Sequence, residues 1–92
     1  MKRHAGVLLS SIRIDKTSSR RISVQLYMAL RELLLAGGLM PGERLPATRT
    51  LADEIGVSRT TVIDAIDRLI AEGLVESRVG AGTFVSDALK VR

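Results

Sequence analysis

A mainly α, α+β fold is predicted for these 92 residues: three helices followed by a two-stranded β-hairpin. Three observations carry that prediction. Apolar residues recur at helical spacing in three segments, closed by Gly37-Gly38, Gly56 and Gly73. The second and third segments are joined by a short glycine-containing turn around Gly56-Val57, the mark of a helix-turn-helix. After Gly73 the period shortens to that of strands, with Gly80-Ala81-Gly82 as a tight turn.

The first helix is read from Leu26, Leu30, Leu33 and Leu34, at i, i+4, i+7 and i+8, which share one helical face. Ser23 is the expected N-cap, its hydroxyl accepting from a first-turn N–H. Leu39-Met40-Pro41-Gly42 reads as a turn, and Pro46 leads into a second helix from about Thr48 to Ile55, burying Leu51, Ala52 and Ile55. Ser58 is a strong N-cap for the third helix, whose expected buried face is Val62, Ala65, Ile66, Leu69 and Ile70. Leu74 to Val79 and Thr83 to Val85 are the two strands, and Phe84 and Tyr27 are assigned to the core. A hairpin placed directly after a helix-turn-helix is a wing, so the architecture expected is a winged helix-turn-helix. The domain is placed at 22–86, a flexible arm or linker at 1–21, and a tail or linker at 87–92. Val7 to Leu9 and Ile12-Arg13-Ile14 can form short extended pieces within that arm.

Composition removes several function classes. There is no cysteine, which excludes disulfides and thiolate chemistry. The one histidine, His4, has no partner at metal-ligand spacing, and no acid–base or nucleophilic constellation is visible. No enzyme activity, metal or cofactor is therefore expected. No apolar run approaches the roughly 18 residues needed to span a bilayer, and Ala5 to Leu9 is too short for a secretory signal. The expected location is the cytoplasm. The net charge of +4 is uneven. Residues 1–21 carry six Lys or Arg against Asp15, whereas 22–92 carry eight against nine Asp or Glu. Charge alone does not select nucleic acid; placement does.

In a helix-turn-helix the N-terminal residues of the second helix approach base edges. Here these are Ser58, Arg59, Thr60 and Thr61. Arg59 can offer paired donors to guanine, and the threonines can bond phosphate or touch a thymine methyl. Asp64 and Asp67 lie on the outward face; Asp64 can accept from cytosine or simply be solvated. Arg44 and Arg49 flank the start of the preceding helix as candidate phosphate clamps. Arg78, Gly80, Ala81, Gly82 and Thr83 would let the wing approach a groove or phosphate. Each arginine alone is ordinarily a solvated charge; four at the DNA-facing points of one fold favour function. The basic arm has two open readings, a nonspecific grip on DNA or plain disorder.

Several runs carry a family resemblance: Pro41-Gly42, Leu45-Pro46-Ala47-Thr48-Arg49-Thr50-Leu51-Ala52, Gly56-Val57-Ser58-Arg59-Thr60-Thr61-Val62, Leu69 with Gly73, and Gly80-Ala81-Gly82-Thr83-Phe84-Val85. Over these the chain resembles the GntR family of bacterial transcription regulators, and Gln25-Leu26-Tyr27 extends the match back to about Ile22. The resemblance implies DNA contacts at Thr48, Arg49, Ser58, Arg59, Thr60, Thr61 and Gly80. Two positions depart from the pattern: Ile63 stands where many members have arginine, and Ala47 where many have serine, which leaves Thr48 to take over the cap. The Leu45 to Arg49 run, the Gly80 to Val85 run and Ile12-Arg13-Ile14-Asp15 are most similar to the MocR subgroup. That likeness implies pyridoxal phosphate only in an aminotransferase-like domain that these residues do not include, so no site for it is assigned. The expected partner is double-stranded DNA, read as the head of a transcription regulator, with a homodimer weak or absent for this domain alone and no membrane. The alternative is a winged helix used for protein–protein interaction.

Overall fold

The computed structural model describes Leu9 and residues 11–89. The expectations for His4, Lys2, Arg3, Val7 and residues 90–92 lie outside them. Helix α1 spans Ile22–Leu35, α2 Thr48–Ile55 and α3 Arg59–Ala71; strands β1 (Val75–Arg78) and β2 (Gly82–Val85) close the chain's order. The strands pair antiparallel with Val75 opposite Val85, Glu76 opposite Phe84, Ser77 opposite Thr83 and Arg78 opposite Gly82. The winged helix-turn-helix is therefore present with the element order expected.

The helix boundaries follow from local chemistry. At the C-terminus of α1 the Gly38 N–H donates to Leu33 O (2.8 Å) and the Gly37 N–H to Leu34 O (3.2 Å), pairing carbonyls the helix leaves open. The α2–α3 turn needs Gly56, whose φ of 82° is a left-handed conformation that side chains resist. Helix α3 starts where predicted: Ser58 Oγ accepts from the Thr61 N–H at 3.1 Å.

Ser23 does not cap α1. The helix begins one residue before it, at Ile22, with Arg21 at the cap and no side-chain cap bond. A longer-range tie holds this end instead. Gln25 Nε2 donates to Asp15 O (2.9 Å) and Arg20 O (3.0 Å), while Gln25 Oε1 accepts from the Asp15 N–H at 2.8 Å. Nor does Thr48 replace the missing cap of α2: it occupies the first helical position, after an Ala47 that provides no side-chain bond.

The core joins Leu26, Leu30 and Leu34 of α1, Leu51 and Ala52 of α2, and Val62, Ala65, Ile66 and Leu69 of α3 with Leu39, Leu45, Val75 and Val85. Leu9 and Ile12 are buried in the same cluster, and Ile14 packs on its edge. The described part of the expected flexible arm is thus packed, because burying two large aliphatic side chains outweighs leaving the segment free. Its polar stretch is tied down too. Thr17 donates its hydroxyl and N–H to Asp15 Oδ1, at 2.6 and 2.9 Å, and this holds the Asp15 carboxyl below its ordinary range. Lys16 Nζ reaches Gly56 O at 3.1 Å, a cation on the C-terminal carbonyls of α2.

Two apolar assignments are corrected. Ile70 is exposed rather than buried, because it lies about a quarter-turn from the centre of the Val62–Ala65–Ile66–Leu69 stripe. Phe84 is only half-buried and absent from the core: with Val85 fully buried, strand alternation turns its neighbour to the opposite face. Tyr27 packs against the core, and its hydroxyl donates to Glu72 Oε1 at the end of α3. Arg31 Nε bonds the other oxygen of Glu72 at 3.2 Å. The Tyr27 hydroxyl, with Arg31, holds the Glu72 carboxyl below the usual range, and the same bond raises the Tyr27 phenol.

Candidate nucleic-acid interface

The second helix of the helix-turn-helix opens with Ser58, Arg59 and Thr60 all exposed and Thr61 half-buried. Ser58 and Thr61 are engaged with one another, since their hydroxyls lie 2.9 Å apart and Ser58 also caps the Thr61 N–H. Their first effect is to fix the helix start. Among the described residues the Arg59 and Thr60 side chains have no hydrogen-bond or ion-pair partner, and the first-turn N–H groups beside them have no helical partner. A donor cluster of this kind favours an anion. One turn further along, Ile63, Asp64 and Asp67 are exposed on the outward face, with Ile63 48% accessible.

On α2, Thr48 is half-buried and Arg49 exposed, both in the first turn. Arg49 and Arg59 have no ion-pair partner among the described residues.

Arg44 is not where its sequence position suggested. It forms an isolated antiparallel bridge with Phe84, flanked by bonds from Leu45 N to Thr83 O (2.8 Å) and from Val85 N to Glu43 O (2.8 Å). Residues 43–45 thus run along the free edge of β2 through one isolated bridge, and Arg44 lies against the wing rather than at the start of α2. Its guanidinium lies across Gly82: a Cβ there would stand 2.8 Å from Arg44 Nε. Sequence reasoning missed this pairing, and a single bridge residue leaves no readable period.

At the wing tip, Ala81 N–H donates to Arg78 O at 2.9 Å, closing a turn in which Gly80 has φ 75°. Gly80 and Ala81 are exposed, Gly82 and Thr83 half-buried, and Val79, expected in the strand, projects fully into solvent in the turn. Arg78, by contrast, is occupied. Its Nε and Nη2 bond Glu76 Oε1 at 2.9 and 2.7 Å, Asp87 Oδ2 is 3.8 Å away, and the guanidinium sits 4.2 Å from the Phe84 ring centroid. The fold therefore gathers Ser58 to Thr61 on one helix start, Thr48 and Arg49 on another, and Arg44 with Arg78 to Thr83 on the wing.

Among the described residues, no group of three or more His, Asp or Glu side chains could hold a metal ion, and no helix is long and apolar enough to cross a membrane.

Known proteins share this arrangement. The family model for bacterial regulatory proteins of the gntR family matches residues 22–85. The chain is 48% identical over 73 residues to the probable rhizopine catabolism regulatory protein MocR of Rhizobium meliloti, covering 79% of this chain but 15% of that protein. Among solved structures, YtrA from Sulfolobus acidocaldarius, a GntR-family transcription factor, superposes with a TM-score of 0.78 at 33% identity. That match covers 85% of this chain and 82% of YtrA. The AraR DNA-binding domain in complex with operator ORE1 superposes with a TM-score of 0.71 at 29% identity, over 79% of this chain and 89% of AraR's. A helix-turn-helix with a capped second helix, a two-stranded wing and the family match over residues 22–85 place the chain in the GntR family of bacterial regulatory proteins.

Proposed function

We propose that this chain binds double-stranded DNA sequence-specifically, as the reading head of a bacterial transcription regulator. The observation that carries the reading is the start of α3, where the Ser58–Thr61 cap leaves Arg59 and Thr60 exposed with donors unpaired among the described residues. Arg59 reads guanine in the major groove through a paired N–H contact. Thr48, Arg49, Ser58, Thr60 and Thr61 hold phosphates or thymine methyls, and Arg44 with Gly80, Ala81, Gly82 and Thr83 brings the wing against the backbone. Membership of the family and the likeness to a domain solved with operator DNA support the reading.

In this reading the chain binds and does not catalyse, needs no cofactor, and works where bacterial DNA is, in the cytoplasm. A homodimer would set two half-sites about one helical turn apart, weakly for this domain alone. A protein-docking role for the same face would call for a continuous apolar patch. Ile63 stands there among exposed Thr60, Asp64 and Asp67.

Selection from a randomised duplex library tests the proposal. A defined motif should be enriched, and Arg59→Ala should abolish the enrichment. Recovery of duplexes without any motif, by wild type and Arg59→Ala alike, would contradict specific reading.

A further inference from the structure

The two arginines of the wing share one face of the sheet but differ in their state. Strand alternation puts Glu76, Arg78, Gly82 and Phe84 on the face away from Val75 and Val85, and the bridge to Phe84 adds Arg44 to it. Glu76 takes two guanidinium bonds from Arg78, Asp87 stands behind at 3.8 Å, and Phe84 forms the floor at 4.2 Å. Arg44 has no ion pair among the described residues and lies over the bare backbone of Gly82.

A phosphate reaching Arg78 must first displace a carboxylate, which then remains beside it as a like charge. A phosphate reaching Arg44 displaces only water. We propose that Glu76 is a positioning residue of the wing: it holds Arg78 over Phe84, leaving Arg44, seated on Gly82, as the wing's phosphate-binding cation. Glu76 thereby sets how many phosphates the wing neutralises. The proposal rests on the DNA-binding reading above.

The count of neutralised phosphates is read from the slope of log binding constant against log salt, which changes by about 0.9 per phosphate on duplex DNA. Slopes would be measured on one fixed duplex for the wild type, Arg44→Gln, Glu76→Gln and the double variant Glu76→Gln/Arg78→Gln. Arg44→Gln should flatten the slope by about 0.9, and Glu76→Gln should steepen it by about as much. The double variant should return to the wild-type slope, because the gain of Glu76→Gln comes from releasing Arg78. Steepening that persists in the double variant would mean that Glu76 acts by its charge alone, and would overturn the proposal. So would an unchanged slope in Glu76→Gln. Absence of any salt-dependent binding by the wild type would overturn the DNA-binding reading itself.

Discussion

The start of α3 and the wing both present arginine to the outside, yet they are built on opposite electrostatic plans. At α3 the neighbouring polar groups, Ser58 and Thr61, satisfy each other and leave Arg59 without an ion pair among the described residues. On the wing the neighbours of Arg78 are carboxylates that satisfy the arginine itself. The same residue type is thus displayed in one place and neutralised in the other. Exposure of a cation does not measure its availability; its partners do. An exposed pair such as Arg78–Glu76 adds little to stability, but it changes what the guanidinium can do next.

The strongest way to break the comparison is to remove the support the two regions share. Leu69 is fully buried in the core cluster that holds Val62 of α3 and Val75 and Val85 of the wing, its carbonyl accepting from Leu74 N–H at the entry to the wing. Leu69→Ala should cost about 2–5 kcal/mol in urea unfolding and weaken every binding readout together. Next, Gly82→Ala should act on the wing alone. Gly82 has φ 119°, and the added Cβ would meet Arg44 Nε. The backbone strain should cost more than about 1 kcal/mol, with the salt slope flattened as for loss of Arg44 and base preference kept. Ser58→Ala sharpens the other side. Losing the cap should cost about 1 kcal/mol in urea unfolding and loosen Arg59, reducing base preference while the salt slope stays nearly fixed.

The smallest effect expected is a control away from both regions. Glu72 has its pKa lowered by Tyr27 and Arg31, so it contributes stability above its unfolded pKa, and that contribution is lost as pH falls through the folded value, below 4.5. Tyr27 is raised above 10, so the same bond stabilises below the unfolded phenol pKa and is lost as pH climbs past the folded one. Glu72→Gln should flatten the acid side of a plot of Tm against pH and leave base preference untouched. A shift in the selected motif would show that the α1–α3 link reaches the reading head.

What the sequence revealed was whatever is written locally. The bounds of α2, the Ser58 cap and the glycine stops depend on residues within one turn of each other, and all were legible. So was the family, through runs such as Gly56 to Val62. What was not legible depends on distant partners. Ser23 looked like a cap, but the start of α1 is held by Gln25 bonded back to Asp15. Leu9 and Ile12 show no period because they enter the core as isolated side chains. Arg44 joined the wing through one isolated bridge to Phe84, and Arg78 was spoken for by Glu76 two residues away on the same strand face. That last pairing was available in the sequence, since residues i and i+2 of a strand share a face. Phe84 was available by the same rule, once Val85 was placed inward.

The central claim is that α3 reads bases and the wing holds backbone. Its most direct test is the ratio of affinities for the selected duplex and a scrambled one, at one salt concentration, for wild type, Arg59→Ala and Arg44→Ala. Arg59→Ala should bring the ratio close to one by removing about 1–3 kcal/mol of discrimination, whereas Arg44→Ala should weaken both duplexes alike and preserve it. A ratio that collapses with Arg44→Ala, or survives Arg59→Ala, would contradict the account.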